Sequence, residues 1–501
     1  MIRKNHLLIV LCFLCCRVFS QGWTINYRDG FPHGRIHFYD GTMDQEGVTF
    51  LAGEEGPNPS HPQLLLMRIE PDGAHNEFHY QRTNAHCKAT SVIETSDHHL
   101  FVTGNLFKED GDSLLVLLFD KELHLLGERC YGKNMEAGPF GNCVATCDPY
   151  GNVIVASTIS IDNAYGGSEN KGVLFKFNGQ GTLLLQRYLI ADDPDPLYYW
   201  MDFNLRQMWY LPESNRLLCL APGQGNVMSF ITFDDEFNYI EEHPIWRDDN
   251  DKTDHTLFRD CYTDHWYSND KALFFSSRGD ADHNKLRISV INTQGEFLQF
   301  IHLNERQDTI DDAARHRCMA KVNDSIFYFS FHSHTTGYFP GYACVYKIND
   351  RLEIVGRHID DDHENYRSYM IFATNDGGCI TVNDSCPPSG YANICHPVIR
   401  RLAPDDFESV PYSIIQSATI PTGRMAYPNP TDGLLNIPLT TQQPPTRFQL
   451  LDRHGRLITD RHINSPGDLL QLDVSPLPPG LYHYRLLQGE HPILQEKFIK
   501  K

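Results

Sequence analysis

Residues Gly172–Gly181 read GVLFKFNGQG, an apolar run that ends on Phe177 and passes at once into Asn178 and two glycines. This is a strand running into a tight hairpin, because Asn and Gly supply the turn geometry that β-formers resist. The same figure recurs along the chain as LLLMRIEPDG from Leu64, LLVLLFDKEL from Leu114 and VMSFITFDDE from Val227. It continues as LRISVINTQG from Leu286, YACVYKINDR from Tyr342 and HPVIRRLAPD from His396. Aligning the last apolar residue of each gives Ile69, Phe119, Phe177, Phe233, Ile291, Ile348 and Leu402, at spacings of 50, 58, 56, 58, 57 and 54. In six of the seven the next residue is Asp, Asn or Glu, suited to a tight turn.

Each anchor is preceded by another strand-like run: HLFVTG, NVIVAS, RLLCLA, ALFFSS or SIFYFS. Turn signals such as Asp148-Pro149-Tyr150-Gly151 and Asn375-Asp376-Gly377 come before those runs. Helical periodicity is nearly absent. The repeating unit is therefore strand, tight turn, strand, long loop, third strand, tight turn and fourth strand. Four short strands at this period predict an all-β fold, a seven-bladed β-propeller, in which radial repetition protects the sheet edges. An open β-solenoid would have a shorter and stricter period. The run WTINYRD, Trp23–Asp29, precedes the first full unit and is expected to complete the seventh blade as its outer strand.

The two ends of the chain carry different information. Arg3 and Lys4, an apolar core from Leu7 to Cys16, and Val18-Phe19-Ser20 before Gln21 predict an export signal over residues 1–20. No later segment approaches the roughly 20 apolar residues of a membrane-spanning helix. Without that signal, which holds Arg3, Lys4 and Arg17, 40 basic residues face 64 acidic ones, a balance of −24. Such a field keeps an exposed protein soluble and excludes nucleic acid as a partner. Of the fourteen cysteines, three (Cys12, Cys15 and Cys16) lie in the signal. The other eleven form no CxxC pair. One or two disulfides are expected, with Cys379, Cys386 and Cys395 as the local candidates, and most of the rest are expected to be small buried residues.

The repeat rhythm is expected to fill residues 21–411, with a linker at 412–424 and a separate all-β unit, a small Ig-like sandwich, at 425–501. That last unit holds Tyr427-Pro428-Asn429-Pro430 with Gly433, then LLDRHGR with Gly455 and Arg456. LDVSPLPPGLYHYRL follows, with Leu477, Pro478, Gly480 and Tyr482, and Lys497, Lys500 and Lys501 close the chain. In that order these elements resemble the C-terminal sorting domain of the type IX secretion system of Bacteroidetes. The resemblance implies export through the inner membrane, recognition of the folded tail by the type IX machinery, and delivery across the outer membrane to the cell surface or medium. In physical terms the prolines force an extended approach and Gly433 and Gly455 permit turns.

The propeller's expected chemistry is less specific. The loops joining second to third strands, and one blade to the next, share a face and are long, and long loops on a rigid scaffold gather binding residues. They are acidic and aromatic. Tyr198, Tyr199, Trp200 and Trp246 could stack on a ligand, with Asp280 and Asp282 beside them. Trp209 and Trp266, on expected first strands, read instead as packing residues. Asp280, Asp282 and His283, like Asp249, Asp251 and Asp254, leave calcium as the sole candidate cofactor. Neither run has the Gly and distal Glu of an EF-hand loop, so both read as solvated turns. His332 and His334 flank one residue on an expected loop and lack further ligands for a metal. Arg278-Gly279-Asp280 is too short to identify a receptor. Motifs for Ser hydrolases, zincins, P-loop enzymes and dinucleotide binding are missing. The sequence thus favours a non-catalytic exported propeller that binds a protein or glycan, over a polysaccharide-acting enzyme or a structural surface component.

Overall fold

A computed structural model describes residues 22–501 except 28–34, 57–61, 84, 109–112, 132–142, 163–167, 190–206, 223–227, 246–260, 263–265, 269–270, 280–283, 304–308, 314–316, 324, 336–337, 361–364, 387–394, 410–430, 432, 440–445, 453–455, 464–468 and 489–490. The chain divides into two compact units that part near residue 417. Among the described residues of the first unit, seven antiparallel sheets follow one another, six with strands in simple sequential order and the last with one N-terminal strand added at its edge. No described segment is an α-helix, and a 3-10 turn lies at Pro404–Asp406. The seven aligned anchors fall at the end of the third strand of successive sheets, and each is buried, with exposures of 0 to 3%. Withdrawing such a Leu, Ile or Phe side chain from water contributes on the order of 2 kcal/mol.

The residue after the anchor explains the turns. The Asn178 side-chain oxygen accepts hydrogen bonds from the amides of Gln180 (3.1 Å) and Thr182 (2.9 Å), while the Gly181 amide bonds back to the Asn178 carbonyl. Asp120, Asp234, Asn292 and Asn349 repeat this cap at the same hairpin of their sheets. Asp44 and Asp148 do so between first and second strands. The fourth residue of each turn takes a left-handed φ, which places a bulge at the start of the following strand. Leu123, Phe237 and Leu352 accept φ near +60° without being Gly. All three are buried, so packing offsets the strain.

Successive sheets share apolar seams. Val48, Phe50 and Leu66 of sheet 1 pack with Cys87, Val92 and Val102 of sheet 2. Equivalent clusters join sheets 2 and 3, 3 and 4, 5 and 6, and 6 and 7. The ring closes where Phe38, Leu51 and Met67 of sheet 1 meet Met370, Ile380 and Ile399 of sheet 7. First strands of neighbouring sheets also touch, as Arg35–Met43 does His86–Glu94 and Asn365–Ala373, so first strands lie nearest the axis. Closure excludes an open solenoid. The outer strand of sheet 7 is Trp23–Asn26, paired antiparallel with His396–Leu402 through Trp23 opposite Arg401 and Asn26 opposite Val398. This is the role expected of the N-terminal run. Trp23 also donates from Nε1 to the Pro71 carbonyl (3.0 Å), and Tyr27 donates to Glu77 (2.6 Å), so the segment grips sheet 1 as well.

Cys386 and Cys395 form a disulfide, with eight free cysteines among the described residues, six of them buried. The bridge closes the loop between the second and third strands of sheet 7, and a loop of this size is stabilised by about 2–3 kcal/mol. One expected loop is not a loop. His332 and His334 lie on the second strand of sheet 6, Ile326–Thr335, which pairs with Tyr338–Asn349 in a long hairpin. Its aromatic and β-branched residues favour a pleated ladder over an irregular connection.

The chain leaves sheet 7 along the outer edge of sheet 6. Arg357 and Glu408 exchange backbone hydrogen bonds (3.0 and 2.8 Å), and Phe407 stacks on Tyr328. His358 lies beneath this segment, with Nδ1 3.0 Å from the Asp406 carbonyl and Nε2 3.0 Å from an Asp360 carboxylate oxygen that Arg400 also reaches. Both partners only accept, so the ring satisfies both when it carries two protons. Burial opposes that charge, but the hydrogen bonds to Asp360 and to the Asp406 carbonyl outweigh it and raise the imidazole above its ordinary pKa.

Trp23→Ala is expected to lower stability by about 2 kcal/mol, less than for a fully buried Trp, read as a lower melting temperature; an unchanged melt would show that closure does not depend on this strand. The His358 clamp is complete below the ordinary imidazole pKa of about 6.5 and is lost as pH rises through the raised folded value. Amide exchange at Glu408, corrected for its intrinsic rate, should accelerate over that rise, whereas His358→Ala should accelerate it about fivefold at acidic pH.

Candidate functional site

Near the axis the first strands are irregular at one level. Register shifts fall between Phe38 and Asp40 in sheet 1, Ala89 and Ser91 in sheet 2, and Ser368 and Met370 in sheet 7. Tyr39, Thr90 and Tyr369 are the extra residues. Bulges re-aim side chains and collect next to functional sites. The second strand accommodates them with Gly53 and Gly104, where a Cβ would stand 2.1 and 2.0 Å from the carbonyl oxygens of His37 and Lys88. In sheets 5 and 6 the first strand is split instead, into Cys261–Tyr262 with Trp266–Ser268 and Thr309–Ala313 with Met319–Asn323.

A mixed aromatic and polar group gathers at these bulges. The His37 ring makes edge contacts with Tyr39 (4.6 Å between centroids) and Tyr369 (4.8 Å), and its Nδ1 lies 3.7 Å from Asp384. Lys88 of sheet 2 stands over the Tyr39 ring at 5.0 Å. Burial, and then the neighbouring Glu54 carboxylate, push the Tyr39 hydroxyl far above the ordinary tyrosine range, so it stays neutral. One level deeper, Asp40 accepts from Ser91 Oγ (2.8 Å) and the Val92 amide (3.1 Å) of sheet 2. Burial raises its carboxyl, while Arg317 and these hydrogen bonds oppose the rise. The Arg317 guanidinium lies over Phe372 of sheet 7 at 5.4 Å, and its backbone bonds to Tyr369 and Ile371. Asp40 and Arg317 thus brace sheets 1, 2, 6 and 7. This network ties four sheets together, and Tyr39, Lys88, Arg35 and Glu54 above it are partly exposed, as are Asp40 and Arg317.

The residues expected to bind a ligand, Tyr198, Tyr199, Trp200, Trp246, Asp280 and Asp282, lie outside the described residues. Trp209 is on a first strand, Gln207–Leu211, and packs edge-on against Phe230. Among the described residues no group of three or more His, Cys, Asp or Glu could hold a metal ion, nor is any helix long and apolar enough to cross a membrane. The His37 group was legible only through register. RIHFYDGT at Arg35–Thr42 places charged and aromatic residues inside what should be an apolar inner strand.

The second unit stacks a two-stranded sheet, Leu434–Pro438 with Leu469–Asp473, on a four-stranded one, Arg447–Asp452, Leu457–His462, Gly480–Gln488 and His491–Lys500. Leu435, Ile437, Phe448, Leu450, Tyr484, Leu486 and Phe498 fill the space between. Tyr482 donates to the Pro478 carbonyl (2.7 Å) and stacks on Phe498, and Leu477 packs at the margin of this core. Arg456 closes a turn on Asp452. Tyr427, Pro428, Asn429, Pro430 and Gly455 lie outside the described residues. Gly433 is not held in a left-handed conformation, and a Cβ there would only touch Ser475 at 3.7 Å, so this position does not require glycine for its turn. Gly480 opens a strand with similar room.

No curated protein sequence matches the chain. Among solved structures it is similar to the polysaccharide lyase Uly1, at 9% identity over 75% of this chain and 92% of that one, with a TM-score of 0.45. It is also similar to the BP39L lectin from Burkholderia pseudomallei, at 9% identity over 74% and 96% of the two chains and a TM-score of 0.45. A subtype N10 neuraminidase-like protein of A/little yellow-shouldered bat/Guatemala/060/2010 matches at 9% identity over 76% and 98%, with a TM-score of 0.35. The fold rests on the sheet topology rather than on these likenesses. Residues 425–501 match the family described as a secretion system C-terminal sorting domain. The tail is thus the type IX sorting domain that its motifs resemble, and it marks the protein for the cell surface or the space beyond it.

Proposed function

We propose that the protein is a surface-delivered, non-catalytic propeller that binds a glycan on the long-loop side of its axis. The observation that supports this reading most is the convergence of Tyr39, His37, Tyr369, Lys88 and Asp384 where three bulged first strands meet. Aromatic faces and hydrogen-bonding edges held on rigid strands suit sugar rings. Tyr39 remains neutral, so it serves as a hydrogen-bonding group and not as a base. Binding is expected on a glycan array without new reducing ends or unsaturated products from the same polysaccharides. Product release would favour the enzyme reading, and binding to proteins alone would move the ligand class.

Delivery is proposed to follow the type IX route, through the inner membrane by the signal over residues 1–20 and across the outer membrane by recognition of the tail. Removal of residues 425–501 should retain the protein in the periplasm. Surface delivery without the tail would contradict the route.

A further inference from the structure

Counting back two residues from each bulge gives His37 in sheet 1, Lys88 in sheet 2 and Arg367 in sheet 7. The residues opposite them on the second strand are Glu54, Asn105 and Asp384. Basic side chains therefore occupy the strand nearest the axis, with acidic or amide partners one strand further out. Residues directly opposite in such a ladder share a face of the sheet, so in the Arg367 and Asp384 pair the cation is the axial member. Contacts link the three positions, since His37 lies 3.7 Å from Asp384 and Lys88 stands over Tyr39. Arg35 and His86 add basic residues two positions nearer the long-loop end of the first two strands. In a chain with 64 acidic residues against 43 Lys and Arg, three partly exposed cations, Arg35, Lys88 and Arg367, on three adjacent inner strands run against the overall charge.

We infer that this arc recognises an oxyanion, the carboxylate or sulfate of an acidic polysaccharide. The inference rests on the axial binding reading and names its ligand class. Lys88, held over the Tyr39 and Phe107 rings, and Arg367, opposite the Asp384 carboxylate, are pre-oriented, and clustered cations attract an anion despite the acidic exterior.

The test uses the full mature chain with three polysaccharide probes: dextran sulfate, polygalacturonate and neutral dextran. Retention of dextran sulfate or polygalacturonate at low ionic strength is expected, weakening as salt rises, with dextran unretained. Lys88→Gln and Arg367→Gln, each checked for an unchanged melt, should weaken retention about tenfold. Lys88→Arg should preserve it, and Arg447→Gln in the tail should leave it unchanged. Equal retention of dextran and dextran sulfate would overturn the oxyanion assignment while leaving the axial site standing. Undiminished binding by both Gln variants would likewise overturn it. Retention of no polysaccharide would overturn both readings. Tighter binding of poly-glutamate than of either acidic polysaccharide would replace the saccharide with an acidic peptide.

Discussion

A ring of sheets is stable only when its last member finds its first, and here four residues, Trp23–Asn26, hold that junction. They pair with a strand some 375 residues away in sequence. Bringing such distant segments together costs about 5 kcal/mol of chain entropy by loop-closure scaling. A four-residue ladder offsets little of that by itself. The contacts of Trp23 with Pro71 and of Tyr27 with Glu77 extend the grip to the neighbouring sheet, and the apolar seam beneath them supplies the remainder. Every other seam in the ring joins sheets adjacent in sequence and carries a smaller entropic burden.

The same closure builds the axial site. Sheets 7, 1 and 2 meet on either side of the junction, and their bulged first strands bring His37, Tyr369 and Lys88 into one group. The Asp40 and Arg317 brace lies just below, so the bulges rest on a hydrogen-bonded polar layer. Bulged strands are usually pliable, but Gly53 and Gly104 let the second strand press directly on these carbonyls, which limits their freedom. The group is therefore positioned by packing on both sides of the strand and not by a loop.

Much of this architecture was legible because it repeats. A buried anchor followed by Asp or Asn is a local signal with a local cause, the capped hairpin, and five occurrences average out the noise in any one. The N-terminal strand was legible for a topological reason, since a lone strand before the first unit has one vacant edge to fill. The axial group was not legible. His37 and Lys88 share no sequence motif, and they align only once the bulge register is known. Attention to acidic and aromatic loops drew interest instead to Trp200, Trp246 and Asp280, because composition is visible in a sequence while convergence is not. His332-Ser333-His334 reads as a loop because the run is polar, yet it continues the ten-residue ladder of its hairpin.

The exit segment carries a consequence for the finished product. Glu408 is hydrogen-bonded to the rim of sheet 6, and Phe407 is stacked against Tyr328. A protease cutting anywhere beyond Glu408 would release the sorting unit yet leave this short hem stitched in place. The mature particle would then keep one rim capped against fibrous self-association by the last stretch of its own first unit.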